Sequence, residues 1–291
     1  MADALKVRFF MSSNPVTLRN KLAEFKSTVG IETEYGDEVV EGTLTMAHHG
    51  SRAGQPAPCS YPNGCADDAE AVGLSHLDED SIGGCAAVTN SKPEAESFWK
   101  LVEFVDVNGA HKIKLANASE QDIRRLYAFH AWIERNKVNP NSDGFVSDVT
   151  DDVYKAIKNC NKIVQDDLEL LTAGDEFRAN EIKLNTDSFI KSEGGVIFRR
   201  SDMKVNHLYT TPSKEIMNAV VTYKPTNGGI TVSFADKPRG LNAINILKKL
   251  FGDKAGGHAS IAGSPRGVRM EEEDAEIAFQ STIEANKLNL K

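Results

Sequence analysis

The chain has 291 residues, 40% of them hydrophobic and 26% charged, and a formal net charge of -8. That length admits one large or two ordinary domains with ample core, and the composition is that of an ordinary globular protein. The acidic balance argues against a protein whose main task is gripping long duplex nucleic acid, but leaves room for a small anionic substrate in a basic or metal-lined pocket. Cys59, Cys65, Cys85 and Cys160 are too few and too scattered for a disulfide framework. Residues 1–11 carry charges inside a short apolar stretch and show no signal-peptide hydrophobic region. No apolar run reaches the length of a membrane span. The expected setting is the reducing cytoplasm, with no membrane partner.

Residues 7–11 predict a first strand, Ser12-Ser13-Asn14-Pro15 breaks it, and residues 16–25 predict a helix. A second strand is expected over 39–46 from its β-branched residues and partial alternation. It leads into the Gly- and Pro-containing segment 47–59, which carries His48 and His49 together with Cys59, and Cys65 beyond. A Cys/His zinc site is one reading, although Cys-x5-Cys is not a usual finger spacing. An ordered loop lending His48 or His49 to a neighbouring site is a second. A plain surface loop is the third.

The densest stretch of candidate ligands is Ser75-His76-Leu77-Asp78-Glu79-Asp80-Ser81-Ile82-Gly83-Gly84. Ala71, Val72 and Leu74 precede it, so a buried strand is expected to deliver these residues at its C-terminal end, where open α/β sheets place their sites. His-x-Asp-x-Asp offers one nitrogen and two carboxylates, a set suited to Mn2+, Zn2+ or Fe2+ rather than to an all-oxygen cage. The same residues also read as a polar turn into a helix, with Asp80 or Ser81 as N-cap.

Ser91-Lys92-Pro93-Glu94 has the form of a capping box opening a helix through Phe98, Trp99, Leu101 and Val102. Residues 104–111 then read as a strand end that presents Asp106 and, five residues on, His111. Asp106 serves either as a ligand or as a turn former beside Asn108-Gly109. Residues 119–137 predict a helix capped by Ser119 with Asp122, and His130 falls on its apolar face as a core residue. A further helix runs through Val153, Ile157, Cys160 and Val164, its first-turn acids favoured by the helix dipole. Residues 191–195, Lys-Ser-Glu-Gly-Gly, read as an interdomain linker dividing 1–191 from 196–291. Short strands are expected at 196–198, 208–209, 219–223 and 230–235, the last two joined through Asn227-Gly228. An amphipathic helix over 241–251 precedes the glycine-rich residues 252–267, and a last helix covers 272–287. Gly256 and Gly257 let backbone amides approach an anion, while His258 and Arg266 offer charge-assisted contacts to a phosphate or carboxylate.

Two of these stretches resemble one family. Gly256-Gly257-His258-Ala259-Ser260-Ile261-Ala262-Gly263, following a helix in a small mixed domain, resembles the DHHA1 domain of the DHH phosphoesterase superfamily. His76-Leu77-Asp78-Glu79-Asp80-Ser81-Ile82-Gly83 resembles that superfamily's first motif, His-x-Asp-x-Asp-[Gly/Ser]-x-Gly. The resemblance implies an α/β fold, with an N-terminal parallel-sheet DHH-like domain and a smaller C-terminal α+β DHHA1-like domain. It implies His76, Asp78 and Asp80 as metal ligands, Asp106 as the second-motif aspartate, and Asp78, Asp80 and Asp106 as catalytic residues. Gly256, Gly257, His258 and Arg266 would face the substrate, and Mn2+, or Fe2+ or Zn2+ in its place, would be the cofactor. The contiguous Asp-His-His that names the family is absent from its expected place. The sequence's only His-His is His48-His49, after Ala47 and ahead of the first motif. His111 and His49 are the candidates to replace the missing histidine as ligand. The implied activity is metal-dependent hydrolysis of a phosphodiester or phosphomonoester in a small nucleotide-type substrate: a short oligonucleotide, cyclic dinucleotide or nucleoside bisphosphate. The alternative is a catalytically degenerate nucleotide-binding or sensor protein on the same fold. Long duplex nucleic acid is not an expected partner; a homodimer is left open.

Overall fold

The computed structural model describes residues 6–49 and 52–289. They divide into two compact units, with residues 110–112 grouped with the second unit and the other boundary at Arg178/Ala179. The first unit contains β1 (Arg8–Met11), α1 (Pro15–Leu22), β2 (Thr28–Ile31), β3 (Glu34–Tyr35), β4 (Glu38–Val39) and β5 (Leu44–Met46). It continues with β6 (Ala71–Leu74), α2 (Glu79–Val88), α3 (Glu96–Asn108), α4 (Glu120–Arg135), β7 (Ser147–Asp148) and α5 (Thr150–Val164). The unit boundary falls inside α6 (Leu168–Asp187). The sheet order is β5-β2-β6-β1-β7, parallel throughout except for β7, which runs antiparallel to β1.

This sheet is covered on both faces, so its strands read as continuous apolar runs. Phe9, Met11, Val29, Ile31, Val72 and Leu74 face a core shared with the helices that follow β6. Phe10 and Ala71, at alternate positions, face Leu18 and Leu22 of α1. Gly73 lies on the α1 side, where a Cβ would come within 2.8 Å of Leu22 Cδ1. That contact sets how closely α1 approaches β6. Phe98 and Phe129 are fully buried in the main core. Truncating either to Ala costs about 3–5 kcal/mol.

Three local expectations are corrected here. Residues 104–108 are not a strand: the helical face of Phe98, Leu101, Val102 and Val105 continues, and α3 runs to Asn108, where Gly109 at φ +85° ends it. Asp106 therefore projects from the last turn of a helix. The segment 91–94 caps nothing, since α3 starts at Glu96 behind Ala95 without a side-chain cap. The strand expected over 39–46 is split into β4 and β5 at Gly42, where a Cβ would sit 2.6 Å from the Thr28 carbonyl oxygen.

The second unit contains β8 (Phe189–Glu193), β9 (Val196–Arg200), β10 (Ala219–Lys224), β11 (Gly229–Phe234), α7 (Ala243–Phe251), β12 (Gly256–Gly257), β13 (Ile261–Gly263) and α8 (Glu272–Asn289). Its sheet order is β12-β13-β11-β10-β9-β8, antiparallel except between β9 and β10. The α7 and α8 residues Ile246, Leu247, Ala278 and Phe279 pack with Phe198, Val221 and Val232 of the sheet. Residues 191–195 are thus not a linker. They form the end of β8 and the tight turn to β9, with Gly194 and Gly195 both at positive φ. Residues 208–209 are not a strand either. The fully buried Arg199 donates to the carbonyls of Asn185, Leu208 and Thr210 and to Ser188 Oγ, which leaves only an isolated bridge between Thr210 and Ile216. Burial lowers the Arg199 pKa to about 10. Among the described residues no helix is long and apolar enough to cross a membrane.

Candidate metal centre

Strands β5, β2 and β6 are neighbours and parallel, in a register that aligns Met46, Ile31 and Leu74. Their C-terminal ends therefore share one edge, and the residues just past them meet there. These are His48 and His49 after β5, Glu32 after β2, and Ser75 and His76 after β6. Glu32 takes the left-handed backbone conformation, φ +52°, which few non-glycine residues adopt and which is typical of residues held at functional sites. Its carbonyl accepts a hydrogen bond from Ser75 Oγ. The first turn of α2 brings in Asp80, and the last turn of α3 brings in Asp106.

His48 is the hub. Its side chain is 3% exposed, and its Nε2 lies 3.1 Å from Asp106 Oδ2, 3.3 Å from Glu32 Oε1 and 3.4 Å from Asp80 Oδ2. All four atoms are buried and none makes a well-formed hydrogen bond. One N–H cannot point at three carboxylates, so at least two acceptors stay unsatisfied, at a cost of about 1–3 kcal/mol or more each. The spacing has a simpler origin. With metal–ligand bonds of about 2.1 Å, neighbouring donor atoms lie about 3.0 Å apart in an octahedron and about 3.4 Å apart in a tetrahedron. His48 Nε2 with one oxygen each of Asp80 and Asp106, mutually close and without hydrogen-bond partners, is a grouping that could hold a divalent transition metal. Without the ion, a proton on His48 takes its electrostatic place: against the desolvation that would lower it, Asp106, Asp80 and Glu32 push the His48 pKa up to about 12. Burial raises the Asp80 pKa, while His48 and His49 hold that of Glu32 below its usual value despite burial.

His49 stands on the open side of the cluster, its side chain 47% exposed, with Nε2 at 3.3 Å from Glu32 Oε2 and 3.6 Å from Asp106 Oδ2. Its ring lies 4.1 Å from that of His48. Glu32 is the first cause raising its pKa. Glu32, His48 and His49 form a second grouping of metal-ligating atoms that shares His48 with the first. Glu34, from β3, accepts the His49 backbone N–H at 2.9 Å, and its other oxygen is buried without a partner.

Of the residues expected from sequence, Asp80, Asp106 and His49 are brought together. His76 and Asp78 sit beside them as a pair. Asp78 is the N-cap of α2, its Oδ1 accepting from the Ser81 N–H, while Ser81 Oγ accepts from the Asp78 N–H in a full capping box. Its other oxygen lies 3.0 Å from His76 Nε2, and His76 Nδ1 lies 2.7 Å from Ser75 Oγ. The pairing with Asp78 raises the His76 pKa to about 9. The stretch therefore divides, with Asp78 capping the helix and Asp80 Oδ2 facing His48. The N-cap is neither Asp80 nor Ser81.

His111 is not part of either grouping; its ring lies 4.9 Å from that of Tyr209, and burial lowers its pKa. Cys59 is buried with its thiol at the Trp99 carbonyl, and neither it nor Cys65 belongs to a grouping of metal-ligating atoms among the described residues. His130, expected in the core, is half-buried with Nδ1 2.6 Å from Glu79 Oε1. Gly256 and Gly257 form β12, the edge of a short hairpin with β13, and His258 begins its turn by donating to the Ile261 carbonyl at 2.6 Å. Gly257 is required there: at φ +138° a Cβ would lie 2.5 Å from the Ile261 oxygen. All three residues and Arg266 are exposed.

Sequence reasoning missed Glu32 and left His48 as one option among several. The available signal for Glu32 was the short run Thr28-Val29-Gly30-Ile31, a buried strand with a carboxylate directly after it.

No family model matches the sequence, and no curated protein matches it. Among solved structures, an exopolyphosphatase-related protein from Bacteroides fragilis is 10% identical, with 85% of this chain and 65% of that one covered and a TM-score of 0.34. The chain thus spans just under two thirds of that protein's length. An uncharacterized protein from Helicobacter pylori G27 is also 10% identical, with 76% of each chain covered and a TM-score of 0.21.

Proposed function

We propose that this protein is a metal-dependent phosphoesterase acting on a small nucleotide-type substrate. The observation that carries the reading is the convergence of three partnerless carboxylate oxygens on His48 Nε2 at the C-terminal edge of a parallel sheet. The resemblance of His76 to Gly83 to the first DHH motif directs it toward phosphoesters. His48, Asp80 and Asp106 would hold the ion, with Glu32 in the neighbouring grouping that His48 and His49 share; Mn2+ is the first choice and Fe2+ or Zn2+ next. Bound there, a divalent cation supplies Lewis acidity and neutralises charge at a phosphoryl group.

The remaining roles belong to the chain. His76, half-exposed and cationic through Asp78, places positive charge at the rim where a phosphate would sit, while Asp78 and Ser75 hold its two ring nitrogens. His49 carries a proton at Nε2 beside Glu32 and can pass it to the leaving oxygen. That role holds with one ion per chain; with two, His49 becomes a ligand of the second. In the second unit, Gly256, Gly257, His258 and Arg266 would contact the substrate, as the DHHA1 resemblance implies.

The test is Mn2+-dependent release of phosphate or nucleotide from a panel of short oligonucleotides, cyclic dinucleotides and nucleoside bisphosphates, with metal content measured on the same preparation. Turnover of at least one class, abolished by chelation and restored by Mn2+, is expected. Bound metal and bound nucleotide without turnover of any class would instead make the chain a sensor on this fold.

A further inference from the structure

Asp80 is held by a group that lies outside the cluster. Its Oδ1 accepts the buried backbone N–H of Cys59 at 2.9 Å, and only Oδ2 faces His48. Cys59 is the centre of a 3-10 turn, Pro58–Ser60, that packs on α2. We propose that this turn is a positioning element of the metal centre: the Cys59 amide fixes Asp80 so that it presents a single oxygen. The inference rests on the metal-centre reading.

Two features hold the turn at the distance this requires. Gly83, one turn along α2 from Asp80, leaves the space that the Cys59 side chain enters; a Cβ there would lie 2.5 Å from Cys59 Cβ and 2.8 Å from the Trp99 ring. Lys92 reaches in from the other side, and its Nζ donates to the carbonyls of Cys59 at 2.6 Å and Tyr61 at 2.5 Å. A half-buried ammonium bonded to two carbonyls at the end of a short turn is a brace. It accounts for a lysine whose sequence neighbours looked like a helix cap and are not one. A carboxylate with one oxygen tied to a fixed N–H cannot swing to chelate through both oxygens, so Asp80 leaves coordination space free for a substrate oxygen. The thiol lies 3.7 Å from the Trp99 carbonyl and also touches Asp80, so the test has to separate the N–H from the thiol.

The test compares Mn2+ affinity and the visible spectrum of the Co2+-loaded protein across three variants. Cys59→Pro removes the N–H and is expected to weaken Mn2+ binding by about 10–100-fold, with a changed Co2+ spectrum. Cys59→Ala removes the thiol, keeps the N–H, and is expected to rescue both. Lys92→Met leaves α2 untouched and is expected to weaken binding in the same direction by a smaller factor; it stands in if Cys59→Pro does not fold. Folded Cys59→Pro with wild-type affinity and spectrum overturns the proposal, as does Cys59→Ala losing as much as Cys59→Pro. If Cys59→Pro is unfolded, unchanged affinity in Lys92→Met overturns it. A wild-type protein that binds neither ion removes the metal centre itself, and this inference with it.

Discussion

The strand-end cluster of the first unit and the Gly-Gly-His hairpin of the second were both marked by sequence as functional, and they differ in physical kind. In the cluster, five polar atoms of Glu32, Glu34, His48, Asp80 and Asp106 are buried without a hydrogen-bond partner. Such atoms are rare in folded proteins, and each asks for an explanation. In the hairpin, Gly256, Gly257, His258 and Arg266 are exposed, and water meets their polar needs. The charge balance divides the same way. Residues 1–178 hold 18 Lys and Arg against 29 Asp and Glu, and residues 179–291 hold 16 against 13. An acidic unit with unpartnered buried carboxylates is short of a cation. A mildly basic unit with an exposed glycine turn is suited to an anion, yet nothing in its geometry requires one.

The sharpest way to break this contrast is to remove one carboxylate from the cluster. Asp80→Asn and Asp106→Asn are each expected to lower metal affinity by more than about 100-fold, beyond the range of outer-shell changes. Equilibrium dialysis with elemental analysis reads this, and wild-type metal content in both variants would refute the assignment. Next in size is the effect of the ion on stability. Metal at 100 times its Kd should stabilise the wild-type chain against unfolding by about 2.7 kcal/mol and leave Asp106→Asn nearly unchanged. Because His48 is protonated up to about pH 12 without the ion, loading displaces that proton. Apparent affinity should then rise about tenfold per pH unit from about pH 6 to 8. A flat profile would mean that His48 is not a ligand.

On the other side of the comparison, Arg266→Ala should raise KM for a nucleotide substrate about tenfold, the loss of one charge-assisted hydrogen bond, with metal content intact. An unchanged KM would leave the hairpin without a substrate role. The smallest effect is expected at Asp78. Asp78→Ala should cost about 1 kcal/mol of stability as the lost N-cap while most of the metal is retained. Loss of the metal would instead place Asp78 among the ligands beside its pair, His76.

Local features were legible where burial and capping are local. β6 is an unbroken apolar run, α4 opens at Ser119 with its Oγ accepting from the Asp122 N–H, and β10 and β11 turn at Asn227-Gly228. The errors arose where one residue served two patterns. Phe104 to Asn108 alternates enough to resemble a strand, but its preceding helical face was already committed to the core. Lys191 to Gly195 has linker composition, and the same glycines suit a tight turn equally well.

The candidate site was half legible, for a related reason. Asp80 could be found because His76, Asp78 and Asp80 crowd into five residues, and Asp106 because the DHH resemblance implies a second-motif aspartate beyond them. Glu32 carries no such mark. The sequence by itself determined β1 and β6, the carboxylates crowded after β6 and the acidic character of the first unit, because these follow from apolar runs and charge, whereas β2 and the Glu32 after it were missed. Only the tertiary structure decided that Glu32, Asp80 and Asp106 each approach His48 Nε2. That depends on β2 lying between β5 and β6 and on α3 aiming its last turn at their ends. Sheet order is set by how the whole chain packs, and no local stretch of sequence encodes it.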